Sequence, residues 1–266
     1  MLLWRKWSRL SYTMPAHYDS FDYPSYWENR EYEHESEVIA IRSFLEKIPN
    51  IKNILEVGCG YGRLLEYYAH RGKKVVLTDP CVKMLAEAKK RNWARETNNV
   101  IFVQSKVENL SKRFRRNQFD MIIMVRVTHH LENLDEVFEI FEKLLKPGGY
   151  LILEFANKLH SKALLKNILV GNFTFPLEIF PTDKRSQKSK KDKTLPFFNY
   201  HPDKIVDLLH DYKFDVVDKR SVSNVRSTWV KKHFPLSFLL EFEKSTQKLL
   251  SSVNFGPSVF LLAKKT

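Results

Sequence analysis

Cysteine is scarce in this chain of 266 residues, where only Cys59 and Cys81 occur. Two thiols cannot build a disulfide framework, and these two do not have the spacing of a metal site. A disulfide-stapled scaffold is therefore excluded, and a reducing cytoplasm is the default expectation. Long apolar runs are also missing. No stretch approaches the roughly 20 residues of a membrane span. The N-terminal Met-Leu-Leu-Trp-Arg-Lys-Trp lacks the apolar core of a signal peptide, because Arg5, Lys6 and Arg9 interrupt it. Glycine is sparse, at eight residues, which excludes a collagen-like repeat.

What is present is globular: 43% hydrophobic and 28% charged residues. The length fits one elaborated domain better than two. The net charge of +13 raises nucleic acid or an anionic membrane surface as partners. Much of it sits in residues 184–193, which hold six basic residues and one acid. Lys112, Arg113, Arg115 and Arg116 form a second knot. A solvated loop is the ordinary state of such a run, and a polyanion site is the alternative.

Residues 1–35 read as an aromatic arm, with Tyr18, Phe21, Tyr23, Tyr26, Trp27 and Tyr32. Met14 offers an internal start, which would make the first 13 residues dispensable. From Ser36, a candidate N-cap, Val38, Ile41, Phe44 and Leu45 follow helical spacing up to Pro49. Short apolar strands then alternate with helices. Strands are expected at 54–57, 74–78, 100–103, 121–125 and 150–155, with a turn at Lys146-Pro147-Gly148-Gly149. This alternation predicts an α/β fold with a parallel sheet covered on both faces. The pattern breaks over about 157–200, which reads as an insertion. It carries helically spaced Leu164, Leu165, Ile168 and Leu169, then an alternating Phe173, Phe175, Leu177 and Ile179 that predicts an extended segment. A helix restarts at Pro202, a strand follows at 214–217, a late helix covers roughly 235–251, and 258–262 is a closing strand.

Chemistry concentrates at Leu55-Glu56-Val57-Gly58-Cys59-Gly60-Tyr61-Gly62. A glycine turn at a strand's carboxyl end is where open α/β sheets bind ligands. The third glycine lies four positions after the first, whereas a dinucleotide turn places it five after. Glu56 would repel a pyrophosphate but suits a ligand carrying an ammonium and a sulfonium. Asp79 ends the second strand, where a carboxylate can accept both ribose hydroxyls.

These motifs, with Phe119-Asp120, His129-His130-Leu131 and Leu145-Lys146-Pro147-Gly148-Gly149, resemble the class I S-adenosylmethionine-dependent methyltransferases over residues 36–157. The resemblance implies a Rossmann-like seven-stranded mixed sheet, order 3-2-1-4-5-7-6, with helices on both faces and a lid insertion. It also implies that residues 36–266 form the methyltransferase domain. Gly58, Gly60 and Gly62 would line the methionine part of S-adenosylmethionine, Glu56 would face its ammonium and Asp79 its ribose. Val107 and Val125 complete the expected cofactor set. Lys106 stands where the family often has an Asp that accepts from the adenine amine, and lysine can only donate.

Met124-Val125-Arg126-Val127-Thr128 lacks the motif of enzymes that methylate exocyclic base amines. Cys81 is a buried helix-start residue in this reading, and no Asp-Asp/Asn set points to a metal. His129 and His130 are candidate bases, with packing as the alternative. Arg126 either clamps an anionic substrate or pairs with a neighbouring acid. Tyr200 and His201 either line the acceptor side or pack. The expected function is methyl transfer from S-adenosylmethionine, leaving S-adenosylhomocysteine, to a small-molecule or lipid-like acceptor. RNA as acceptor is one alternative. A non-catalytic cofactor-binding scaffold, docked on a partner or an anionic membrane, is another.

Overall fold

The computed structural model describes residues 23–49, 51–91, 98–192 and 194–266. Most of the expected aromatic arm, Met14 and Lys193 lie outside them. Strands β1 (Asn53–Val57), β2 (Lys74–Asp79), β3 (Val100–Gln104), β4 (Phe119–Met124) and β5 (Leu145–Ala156) follow the predicted alternation. β6 (Thr182–Asp183) and β7 (Phe198–Asn199) pair as a separate ribbon. β8 (Phe214–Val222) and β9 (Ser258–Lys265) complete the main sheet, ordered β3-β2-β1-β4-β5-β9-β8. With the ribbon set aside, β8 is the sixth strand and β9 the seventh, which is the expected order. β9 runs antiparallel to both neighbours, while the other pairs involving β1 to β5 are parallel.

The longer helices are α1 (Glu31–Leu45), α2 (Val82–Lys90), α3 (Leu134–Leu144), α4 (Ser161–Leu169), α5 (Pro202–Asp211) and α6 (Leu236–Ser251). On one face of the sheet Phe138, Phe141 and Leu209 are buried, on the other Ile41, Phe44 and Tyr68. Strands so enclosed must be apolar on both sides, which is why β1 and β4 read as runs rather than alternations. Among the described residues no helix is long and apolar enough to cross a membrane.

Three local expectations change. α1 begins at Glu31, so Ser36 lies inside it, and its hydroxyl donates back to the Tyr32 carbonyl at 2.6 Å. The Lys146–Gly149 turn is an excursion within β5, since Leu145 pairs with Phe119 and Tyr150 with Met121. Phe173 to Ile179 do not form a strand. A 3-10 turn at Phe175–Leu177 replaces it, because Pro176 has no N–H to give a ladder. The late helix α6 packs on α1 and β8, and α4 buries none of its own side chains.

The partner of α6 is explained by its inner face, which is polar. Glu243 is fully buried and accepts from Tyr32 Oη at 2.5 Å, Ser223 N at 2.8 Å, Asn224 N at 3.1 Å and Gln247 Nε2 at 3.1 Å. Tyr32 is thus a clasp between α1, α6 and the turn after β8, and it does not line the cavity described below. Glu243→Ala would leave two buried backbone donors without their acceptor. It should cost about 2–4 kcal/mol, and Tyr32→Phe about 1–2 kcal/mol, in urea unfolding.

Candidate functional site

A cavity of about 640 Å³ opens at the carboxyl ends of β1, β2 and β4. That volume lies within the range of roughly 300–1,000 Å³ usual for small-ligand sites. Its floor is the glycine turn. Gly58 N and Cys59 N both donate to the Thr78 carbonyl, at 2.8 and 3.0 Å, which folds the turn onto β2. Gly58 has φ +70°, and a Cβ there would lie 2.2 Å from the Val127 side chain, so only glycine fits. Asp79 ties the same elements together. Its Oδ2 accepts from Gly60 N at 2.9 Å and its Oδ1 from Cys81 N at 2.8 Å.

Glu56, Gly58, Gly60, Asp79, Val107, Val125, Arg126 and His130 all line this cavity, as does Lys106. Two expected site residues do not. Gly62 faces α2, where a Cβ would sit 3.2 Å from that of Ala88; it is a packing glycine. His129 is buried beneath the cavity, its ring 4.0 Å from that of His130 and 4.5 Å from that of Phe197. Burial drives its imidazole well below the usual range, and it is not part of the cavity lining. Tyr200 and His201 also pack: Tyr200 donates to the Leu131 carbonyl, and His201 Nε2 donates to the Pro176 carbonyl at 2.9 Å. Cys81 caps α2, accepting from Met84 N.

His130 is placed differently. Its Nδ1 lies 2.7 Å from the Pro196 carbonyl oxygen. A carbonyl only accepts, so Nδ1 carries the proton and the lone pair of the neutral ring is on Nε2. Burial keeps the ring neutral by lowering its pKa.

The expected choice for Arg126 resolves toward an acid. It has φ +61°, its N–H donates to Glu154 Oε2 at 2.8 Å, and its Nε donates to Glu37 Oε1 at 2.6 Å. Arg63 joins from the other side, donating to Glu37 Oε2 at 2.5 Å while stacking 3.7 Å from the Trp27 ring. Burial pushes the Glu37 carboxyl up, but Arg126 and Arg63 outweigh it and hold it below the ordinary range. Sequence reasoning missed Glu37 and Arg63. The signal for Glu37 was available: it shares helical spacing with buried Ile41 and Phe44, an acid on an apolar face.

The roof comes from the insertion. Arg185, Thr194, Leu195 and Pro196 line the cavity. Arg185 is held by Asp183 Oδ2 at 2.8 Å and donates to the Thr194 carbonyl at 2.5 Å. Among the described residues of the basic run the other four cations, Lys184, Lys188, Lys190 and Lys191, are exposed and are not part of this lining.

The set suits S-adenosylmethionine in its chemistry. One carboxylate stands at the glycine turn, a second ends β2, and apolar Val107 and Val125 flank the space between. The methyltransferase domain family matches residues 55–153. With the sheet order, that match gives the chain the class I S-adenosylmethionine-dependent methyltransferase fold. Among relatives, it is 26% identical over 164 residues to the mitochondrial ubiquinone biosynthesis O-methyltransferase of Dictyostelium discoideum, covering 59% of this chain and 51% of that one. It is 33% identical over 123 residues to the ubiquinone biosynthesis O-methyltransferase of Erwinia tasmaniensis, covering 46% and 49%. The chain thus spans about half the length of these relatives. A methyltransferase structure from Archaeoglobus fulgidus superposes with a TM-score of 0.57 at 17% identity, covering 92% of this chain and all of that one. One from Mesorhizobium loti gives 0.56 at 14%, covering 86% and 98%.

Glu56 carries a testable electrostatic signature. Burial raises its carboxyl from 4.5 to about 7, although Tyr68 donates a hydrogen bond to it. The folded carboxyl keeps its proton where the unfolded one has lost it. Stability should therefore fall as pH rises from about 4.5 to about 7 and level off above. Glu56→Gln should flatten that slope in denaturant titrations across this range, leaving the part contributed by Glu154 and Glu243, whose carboxyls burial also raises.

Proposed function

We propose that this protein transfers a methyl group from S-adenosylmethionine to a small, lipid-like acceptor, most simply at oxygen. The observation that carries the reading is the convergence of Glu56, Asp79 and the glycine turn on one cavity roofed by the insertion. The O-methyltransferase names of the relatives support oxygen as the accepting atom. The apolar lining supports a lipid-like body. Residues 36–266 act as one methyltransferase domain, with the 157–200 segment as its lid.

Bound S-adenosylmethionine supplies an already activated methyl group on a sulfonium, so the residues need only orient, desolvate and accept a proton. In this reading Glu56 takes the ammonium and Asp79 the ribose hydroxyls, while Val107 and Val125 hold the flat base and exclude water. Lys106 leaves the adenine amine to other acceptors. His130 Nε2 receives the proton lost by the acceptor hydroxyl, and the Pro196 carbonyl fixes the tautomer that makes this work. Arg126, already paired with Glu37, shapes the positive wall rather than moving in to clamp a substrate.

S-adenosylhomocysteine should bind the isolated protein in calorimetry. Its affinity should rise as pH climbs toward about 7, where the Glu56 carboxyl ionises, and flatten above. Asp79→Ala should weaken it by about 1.5–3 kcal/mol. A preparation that binds NAD and gives no S-adenosylhomocysteine signal would refute the reading. For the proton acceptor, His130→Asn retains a donor toward Pro196 but loses the base. Label transfer from radioactive S-adenosylmethionine to a lipid extract should drop roughly 10²–10⁴-fold with cofactor affinity unchanged.

A further inference from the structure

The insertion presents a surface that the cavity does not use. Leu165, Leu169 and Val170 on and after α4 are 58%, 77% and 70% exposed, and Phe173, Leu177 and Phe180 are 72%, 78% and 75% exposed. Folded domains seldom leave this much clustered apolar side chain in water without a partner. Nor is the segment loosely attached. Phe175 is its buried anchor. Lys158, whose side chain is only 2% exposed, passes beneath it and donates to the carbonyls of Glu178 at 2.5 Å and Phe180 at 2.9 Å. Its ammonium lies 5.4 Å from the Phe175 ring. Burying an ammonium is costly unless it is well bonded. Here those two bonds hold the backbone of a surface loop whose apolar side chains Leu177 and Phe180 are exposed.

Cations surround this hook. Lys162 and Lys166 alternate with the apolar residues of α4 and are exposed. Burial, then the ammonium groups of Lys158 and Lys166, push the Lys184 pKa down. Burial, then Arg226, Lys184 and Lys162, lower His160 to about 4. Lys162 and Lys166 lie on the helix that His160 caps, Lys184 directly follows β6, and Glu178 is the acid facing Lys158 at 3.4 Å.

We propose that residues 161–184 are a docking hook for an anionic lipid bilayer. Leu169, Val170, Phe173, Leu177 and Phe180 enter the headgroup–acyl boundary, and Lys162, Lys166, Lys184 and Arg226 meet the anionic headgroups. Apolar tips within a basic collar match a bilayer interface, where both contributions add. A second copy of the chain fits poorly, because it would bring its own net charge of +13 against the same cations. Docking deepens the proposed function, on whose methyl-transfer reading its catalytic meaning rests. The hook runs on through the β6–β7 ribbon into the cavity roof at Arg185 and Thr194–Pro196, so an acceptor dissolved in the acyl layer has a short path to the site.

The test is sedimentation of the full chain with phosphatidylcholine vesicles, with and without about one-third phosphatidylglycerol. Binding to the anionic vesicles should exceed binding to neutral ones at least roughly ten-fold and weaken with salt. The double variants Leu169→Asp/Phe173→Asp and Lys162→Glu/Lys166→Glu should each lower it roughly ten-fold or more. S-adenosylhomocysteine affinity, measured on the same preparations, should be unchanged in both, which shows that they fold. Absence of binding to anionic vesicles, or equal binding by the variants, overturns the hook. So does a dimer in sedimentation equilibrium that the apolar variant dissociates, since the surface would then belong to a second copy. Loss of S-adenosylhomocysteine binding in the unaltered protein would instead strike the methyl-transfer reading and leave the vesicle result to judge the hook alone.

Discussion

One buried carboxylate organises the charged wall of the cavity. Glu37 lies on α1, outside the sheet, yet both of its oxygens are engaged by arginines from the loops after β1 and β4. An ion with no exposed surface is tolerable only when its partners are fixed. Each arginine is fixed in turn, Arg63 against the Trp27 ring and His34, and Arg126 by the Glu154 carboxylate on its N–H. The two loops that frame the cavity are therefore held at a set separation by a helix that lies outside the sheet. Because two guanidinium groups share one carboxylate, this side of the cavity stays positive, opposite the acids Glu56 and Asp79.

The sheet and the ligand end of the chain were legible because they depend on local rules. Apolar runs of four to six residues between helical spacings define buried parallel strands, and left-handed glycine conformations define the turn at 58–62. Asp79 was legible for the same reason, since it ends a strand beside that turn. What was not legible depends on distant partners. Gly62 belongs to the motif but answers to Ala88, a contact that no spacing announces. His129 and His130 are adjacent in sequence, yet one is sealed under Phe197 and the other meets a carbonyl from the insertion 66 residues away. Arg185 sat unnoticed in a basic run because only Asp183, two residues earlier, distinguishes it from its solvated neighbours. The inner face of α6 was hidden because, apart from Leu239, its buried residues Glu243, Gln247 and Ser251 are polar and carry no hydrophobic spacing.

The insertion divides into parts with different physical tasks. Its middle, the β6–β7 ribbon with Arg185 and Thr194–Pro196, is fastened by hydrogen bonds and closes the cavity. Its tip is held from beneath and faces outward with apolar side chains. Both parts are reached from the end of β5, where Asn157 donates to the Asn254 and Gly256 carbonyls. The same junction that launches the insertion is thus bolted to the segment leading into β9.

That segment has a consequence for the order in which the molecule can assemble. β9 occupies a slot between β5 and β8, so β8 has no neighbour in the sheet until residues 258–265 arrive. During synthesis from the N-terminus, β1 to β5 can align while β8 and the helices around it still wait for their central strand. The pairing of β5 with β9 spans about a hundred residues, and contacts of that separation form late and slowly. A ribosome that stalls before residue 258 would therefore release a half-sheet with β5 exposed along one edge, an adhesive intermediate rather than a smaller working protein.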